Sequence, residues 1–206
     1  MDVVLIHGMG RTPLSMLRLR HRLRRAGHRA ILFGYSPTFE TLDGATTRLV
    51  GRIERRTAGD YALVGHSLGS VIIRNALGRL RERPPVACCF LAPPMVACKA
   101  ARFFSRFWLY RVVMGEMGQL LADEGFMARL PLPAVPTRVY AGTGGPRASW
   151  LPFGTAPNDV ILSVAEATGR FAGSVVEVPA IHTFIMHSKP VAADIAGFLE
   201  STIQAG

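Results

Sequence analysis

Tyr61-Ala62-Leu63-Val64-Gly65-His66-Ser67-Leu68-Gly69 decides how this chain is read. An apolar run with the character of a buried strand leads straight into G-x-S-x-G. From Leu68 to Arg81 the pattern turns helical, carrying Val71, Ile72, Asn75 and Leu80. A serine between such a strand and such a helix sits on a sharp, strained turn, with its hydroxyl exposed at the C-terminal edge of a sheet. Flanking glycines leave room for strand and helix to approach each other. The N-terminus of the new helix favours negative charge developing beside it. Ser67 is therefore read as a nucleophile, the alternative being a bystander serine in a glycine-rich turn.

Outward from that motif, strands and helices alternate. Val3–Ile6 is a continuous apolar run ending at His7-Gly8, as expected of a strand buried on both faces. A helix is predicted over Leu14–Arg25, with Thr12 as N-cap, Pro13 in its first turn and Gly27 at its end. Its arginines 18, 22, 25 and 29 share one face, opposite Leu14, Leu17 and Leu23. Ala30–Phe33 reads as a strand and Thr41–Thr57 as a helix with Leu42, Ala45, Leu49 and Ile53 inward. Val86–Leu91 and Thr137–Ala141 read as further strands, Val160–Thr168 as a short helix, Val175–Val178 as the last strand and Pro190–Ile203 as the closing helix. This alternation predicts an α/β fold: a mostly parallel central sheet with helices on both faces. The 206 residues suit one domain, 1–206, with one sizeable insertion at about 95–130.

A serine hydroxyl is a weak nucleophile; it needs a base, and the base needs an acid to orient it. In strand–G-x-S-x-G–helix proteins the three follow in the order Ser, Asp or Glu, His. His182, directly after the last strand, fits the base, with His187 five residues on as its rival. Asp159, in the glycine- and proline-rich loop Gly142–Asn158 and its continuation, fits the acid. Asp123 and Glu124 lie in the insertion, Glu166 in a helix and Glu177 in a strand, which places them less well. An oxyanion needs backbone donors. Leu68, next after the nucleophile, supplies one amide, and Met9, in the turn His7-Gly8-Met9-Gly10, is the candidate for the other. His7 precedes Ser67 in the chain and reads as packing this turn.

The set Ile6-His7-Gly8-Met9-Gly10-Arg11-Thr12, Val64-Gly65-His66-Ser67-Leu68-Gly69, Leu91-Ala92-Pro93-Pro94, Asn158-Asp159 and His182-Thr183-Phe184 resembles the lipase/esterase branch of the α/β-hydrolase superfamily, in a minimal version similar to small bacterial triacylglycerol-lipase-like proteins. The resemblance spans almost the whole chain. It implies carboxylic-ester hydrolysis through Ser67, Asp159 and His182 with no cofactor, on a small-molecule ester or lipid-like substrate. The same triad would also serve an acyltransferase or thioesterase, and a binding protein that keeps the fold without catalysis is the reading from another class. In the insertion, Phe103, Phe107, Tyr110, Met114, Met117 and Leu121 recur at spacings of four and three, widened by Phe104 and Trp108. As a cap, this segment would line the acyl site with Phe103, Phe107 and Trp108; as plain core it would touch no substrate.

Composition closes off other classes. Apolar residues make up 49% and charged residues 18%, which is globular. The segment 103–121, the most apolar long one, is broken by Arg106, Arg111 and Glu116, so no transmembrane helix is expected. Met1-Asp2 leads at once into the first strand without a secretory leader pattern, making a cytoplasmic location the default expectation. Cys88, Cys89 and Cys98 are odd in number, two of them adjacent in a strand, which suits free thiols. No Cys/His spacing resembles a metal site. Although the net charge is +10, only Lys99 and Lys189 are lysines, and the arginine-rich helix reads as a solvated face. Weak contact with acidic membrane headgroups is the alternative there. No aromatic interleaving accompanies the charge to suggest nucleic acid.

Overall fold

The computed structural model describes residues 1–204 apart from 105 and 107, with the backbone alone for 104 and 109–113. Six strands, β1 (Asp2–Ile6), β2 (Arg29–Phe33), β3 (Tyr61–His66), β4 (Ala87–Leu91), β5 (Thr137–Gly142) and β6 (Ser174–Val178), form one sheet in the order β2-β1-β3-β4-β5-β6. Every neighbouring pair is parallel. β3 and β4 are buried at every position, which is why their apolar runs lack alternation. Burial is a matter of helices on both faces. α2 (Leu42–Arg56) and α3 (Leu68–Ala76) cover one face with Leu49, Ile53, Val71 and Ile72. α1 (Leu17–Arg25) and α8 (Lys189–Gln204) cover the other with Leu19, Leu23, Ile195 and Leu199.

The chain steps from β1 outward to β2 and then crosses back to place β3 on the other side of β1. Such a reversal opens a crevice at the carboxyl ends of the two strands. Ile6 pairs with Gly65 across it, so the turns after β1 and β3 leave the sheet side by side.

Two local expectations shift. Pro13–Met16 is a 3-10 turn and only Leu17 onward is α-helical. With three residues per turn in place of 3.6, the apolar stripe changes phase. Met16, Leu19 and Leu23 are buried, whereas Leu14 and Leu17 face solvent. Among its described residues the insertion forms the helices α4 (Lys99–Phe104), α5 (Trp108–Leu120) and α6 (Glu124–Arg129). α5 bends at Gly115, whose φ of 58° and ψ of −158° lie outside the helical region. A Cβ there would stand 2.9 Å from the carbonyl oxygens of Pro37 and Thr38, so the bend lets the insertion press on the loop after β2. Beyond the bend Met117 and Leu121 join the core, while Phe103 before it stays exposed.

The insertion is anchored by Arg74, on α3. This arginine is 2% exposed. Its guanidinium donates to the carbonyls of Pro131 (3.0 Å), Leu130 (2.8 Å), Met95 (3.3 Å) and Met127 (3.5 Å). Burial, with Arg170 nearby, pulls its pKa down to about 10, still well above neutrality. Cys88, Cys89 and Cys98 are all buried and free. Cys88 and Cys89 point to opposite faces of β4, and burial pushes the Cys88 thiol up to about 12. Among the described residues no helix is long and apolar enough to cross a membrane.

Candidate active site

Ser67 leaves β3 with φ 49° and ψ −118°, one of three described non-glycine residues with positive φ, alongside Ala92 and Val160. The strain is held by the backbone around it. Its N–H donates to the carbonyl of Leu91 on the neighbouring strand at 2.9 Å. Its own carbonyl accepts from the amide of Ser70 at 2.9 Å and from the Ser70 hydroxyl at 2.6 Å. The glycines of the motif are explained by contact distance. A Cβ on Gly65 would meet the Ser70 amide nitrogen at 2.6 Å, and one on Gly69 would meet the carbonyl oxygen of Ile6 at 2.5 Å. Strand, turn and helix are packed backbone to backbone there.

Asp159 and His182 come from the loops after β5 and β6. The structure brings them together: His182 Nδ1 lies 2.7 Å from Asp159 Oδ2, and the His182 amide donates to the Asp159 carbonyl at 2.9 Å. Asp159 is 1% exposed, and its other oxygen accepts from the amides of Ile161 (3.0 Å) and Leu162 (2.6 Å). Two backbone donors on one oxygen and the ring nitrogen on the other hold this buried carboxyl group in one orientation. With Nδ1 facing Asp159, Nε2 of His182 is the nitrogen left for a reacting proton. Among the described residues no hydrogen bond joins Ser67 to His182. The two are linked through His66, whose Nε2 is 3.0 Å from the His182 carbonyl and whose ring lies 5.1 Å from the His182 ring. Sequence reasoning assigned His66 no part. Its only local signal is its place beside the serine, because its partner lies 116 residues away.

His187 stands apart from Asp159. Its ring lies 5.9 Å from that of Phe184, and its carbonyl accepts from Arg22 at 2.6 Å. Burial, then the charges of Arg18, Arg22 and Arg11, hold its pKa below the usual histidine value. It borders a cavity of about 670 Å³ beside β6, also lined by Val176, Phe184, Lys189, Val191 and Asp194, and neither Ser67 nor His182 lines it. Of the other carboxylates weighed, Glu166 is buried in a capping box at the start of α7 (Val164–Thr168), accepting from the Ser163 amide and hydroxyl and from the Lys99 amide. Glu177 is exposed on the edge strand β6.

Leu68 opens α3 and Met9 lies in the turn after β1, so both candidate oxyanion amides leave adjacent strand ends. A Cβ on Gly118 of α5 would be 3.6 Å from Met9 Cε, so the insertion reaches this turn. His7 packs it from below: its ring stacks on Tyr35 at 4.3 Å, and the Tyr35 hydroxyl donates to the His7 carbonyl at 2.9 Å. Phe103 is 55% and Trp108 72% exposed, and Phe107 lies outside the described residues.

The family model described as "Alpha/beta hydrolase family" matches residues 3–194. No curated protein matches the chain in sequence. Among solved structures, the mature form of the Bacillus licheniformis lipase BlEst2 superposes with a TM-score of 0.74 at 14% identity, covering 95% of this chain and 91% of that one. A pyrethroid hydrolase from Sphingobium faniae JZ-2 gives 0.62 at 17% identity, covering 98% of both chains. The RedJ thioesterase of prodiginine biosynthesis in Streptomyces coelicolor gives 0.62 at 16%, covering 96% of this chain and 85% of that one. At these identities the likeness is one of fold. With a six-stranded parallel sheet, a strained serine at the end of β3 and a family match over nearly its whole length, the chain belongs to the alpha/beta hydrolase family.

Proposed function

We propose that this protein is a serine hydrolase that cleaves carboxylic esters with an apolar acyl part, as in the lipase/esterase branch of the family. Ser67 acts as nucleophile, His182 as base and Asp159 as the acid that orients it. The 2.7 Å contact between His182 Nδ1 and Asp159 Oδ2, on the loops beyond a strained Ser67, carries the reading. Ser67 Oγ attacks the acyl carbon and its proton passes to His182 Nε2. The carbonyl oxygen becomes an oxyanion facing the amides of Leu68 and Met9. Collapse breaks the bond to the alcohol, which takes the proton from His182 and leaves an acyl-serine. Water then attacks, giving its proton to His182, and the carboxylic acid departs as Ser67 recovers its proton. Asp159 stays ionised throughout. Ser67 and His182 need not be bonded in the free protein, since such contacts tighten when substrate binds. No step requires a cofactor.

Labelling with a fluorophosphonate tests the nucleophile. Wild-type protein should take up one equivalent, and Ser67→Ala, folded by circular dichroism, should take up none. Undiminished labelling of that variant sinks the assignment. Turnover of p-nitrophenyl esters of rising chain length, against acyl thioesters of matched length, separates the ester reading from thioester cleavage, the reaction class named for the RedJ relative.

A further inference from the structure

We propose that His66 is a positioning residue that fixes the distance between nucleophile and base by holding the main chain of His182. The inference rests on the reading of His182 as the base. Outside its own 3-10 turn, His182 is tethered three times among the described residues. Its ring and its amide both go to Asp159, and its carbonyl goes to His66 Nε2 at 3.0 Å. The first two tie it to the loop after β5. Only the third runs to β3, the strand that leads into Ser67, and it attaches at the residue next to the serine. A carbonyl oxygen can only accept, so His66 Nε2 carries the hydrogen, and in the neutral ring Nδ1 is the bare nitrogen. Nδ1 is buried without a hydrogen-bond partner and faces the turn after β1: a Cβ on Gly8 would stand 2.6 Å from it. The ring is thus wedged between the oxyanion turn and the base-bearing loop, with its plane tilted 51° to that of His182.

His66 is suited to this by staying neutral. It is 2% exposed, and its burial, followed by the charges of His182 and Arg11, holds its pKa well below the usual histidine value. When His182 takes the serine proton, the neighbouring ring therefore does not compete for it. Its Nε2–H remains a donor through the cycle.

The test compares His66→Gln with His66→Met, two unbranched side chains of similar length, of which one keeps an N–H donor. On a short p-nitrophenyl ester, His66→Met should lose about tenfold or more in kcat with KM within about twofold, because substrate binding is untouched while the reacting groups are misaligned. His66→Gln should recover most of that loss. Nitrogen-15 NMR of wild-type protein adds a readout independent of turnover: His66 should show a protonated Nε2 and a bare Nδ1 at neutral pH. The proposal is overturned if His66→Met, with wild-type Tm, keeps kcat within about threefold. It is equally overturned if His66→Gln falls as far as His66→Met, or if the spectra show a protonated Nδ1. Failure of the underlying triad reading looks different, since wild-type protein itself would then neither label nor turn over.

Discussion

Ser67 holds a conformation that a residue with a Cβ adopts at a cost of ~1–3 kcal/mol, stored at the point where the proposed chemistry begins. Relieving it should trade reactivity for stability. Ser67→Gly is expected to be inert toward fluorophosphonate yet about 1 kcal/mol more stable than Ser67→Ala, read as a higher denaturation midpoint. An equal midpoint would remove the strain argument. At the base, His182→Ala should lower kcat by roughly 10³ or more, and Asp159→Asn should be severe without having to match it. His187→Ala should matter far less, because its ring sits against Phe184 and the arginines of α1. A larger loss from His187→Ala reverses the choice of base. Ser67 and His182 were legible in sequence because each sits just beyond a strand end, and strand ends can be read from apolar runs; Asp159, deeper in the loop after β5, was legible through chain order. His66 was not, because a hydrogen bond between residues 116 apart leaves no periodic trace.

Arg74 shows the same limit in an element. In α3 it stands among Val71, Ile72, Ile73 and Ala76, where a helical pattern assigns a lone arginine to solvent; instead it is buried, holding four carbonyls of the insertion. Its removal would leave those carbonyls without donors. Arg74→Met should therefore cost about 2–4 kcal/mol of stability and speed proteolytic nicking within 95–131 before the sheet unfolds. Unchanged nicking would mean that the other contacts, among them the buried Met117, Leu121 and Met127, hold the insertion without Arg74. The outer part of the insertion invites a separate measurement. Trp108 is mostly in solvent, so Trp108→Ala should shift stability by no more than about 0.5 kcal/mol. If the segment caps the acyl site, the same variant should change relative turnover across acyl chain lengths by on the order of 1 kcal/mol per methylene discriminated. Preference identical to wild type would remove the cap. Sequence periodicity led here to one continuous stripe; among the described residues Phe103 before the bend at Gly115 is exposed and Met117 and Leu121 beyond it are buried, and the bend brings Gly115 against the carbonyls of Pro37 and Thr38.

Across the whole molecule, the alternation of strands and helices was enough to read the sheet, since parallel strands buried on both faces announce themselves as unbroken apolar runs. Histidine burial sets its acid tolerance. His7, His28 and His66 are all buried, and burial depresses the pKa of each. The unfolded chain binds protons at these positions below about pH 6.5, whereas the folded chain does so only lower still. Their contribution to stability is therefore complete above about pH 6.5 and is lost as pH falls through the folded values. Tm should decline between pH 7 and 5, before most carboxylates titrate, and a flat profile over that interval contradicts the sign. The three cysteines have a practical corollary. All are buried in the folded protein, with their thiols pushed toward higher pKa. Thiolate-seeking reagents should thus pass the native molecule by. An exposed substitution such as Trp108→Cys would then accept a spin label or fluorophore selectively, with no need to strip the natural cysteines first. Paired with a second label at exposed Trp150, introduced as Trp150→Cys, it becomes a ruler for the distance between the insertion and the loop after β5.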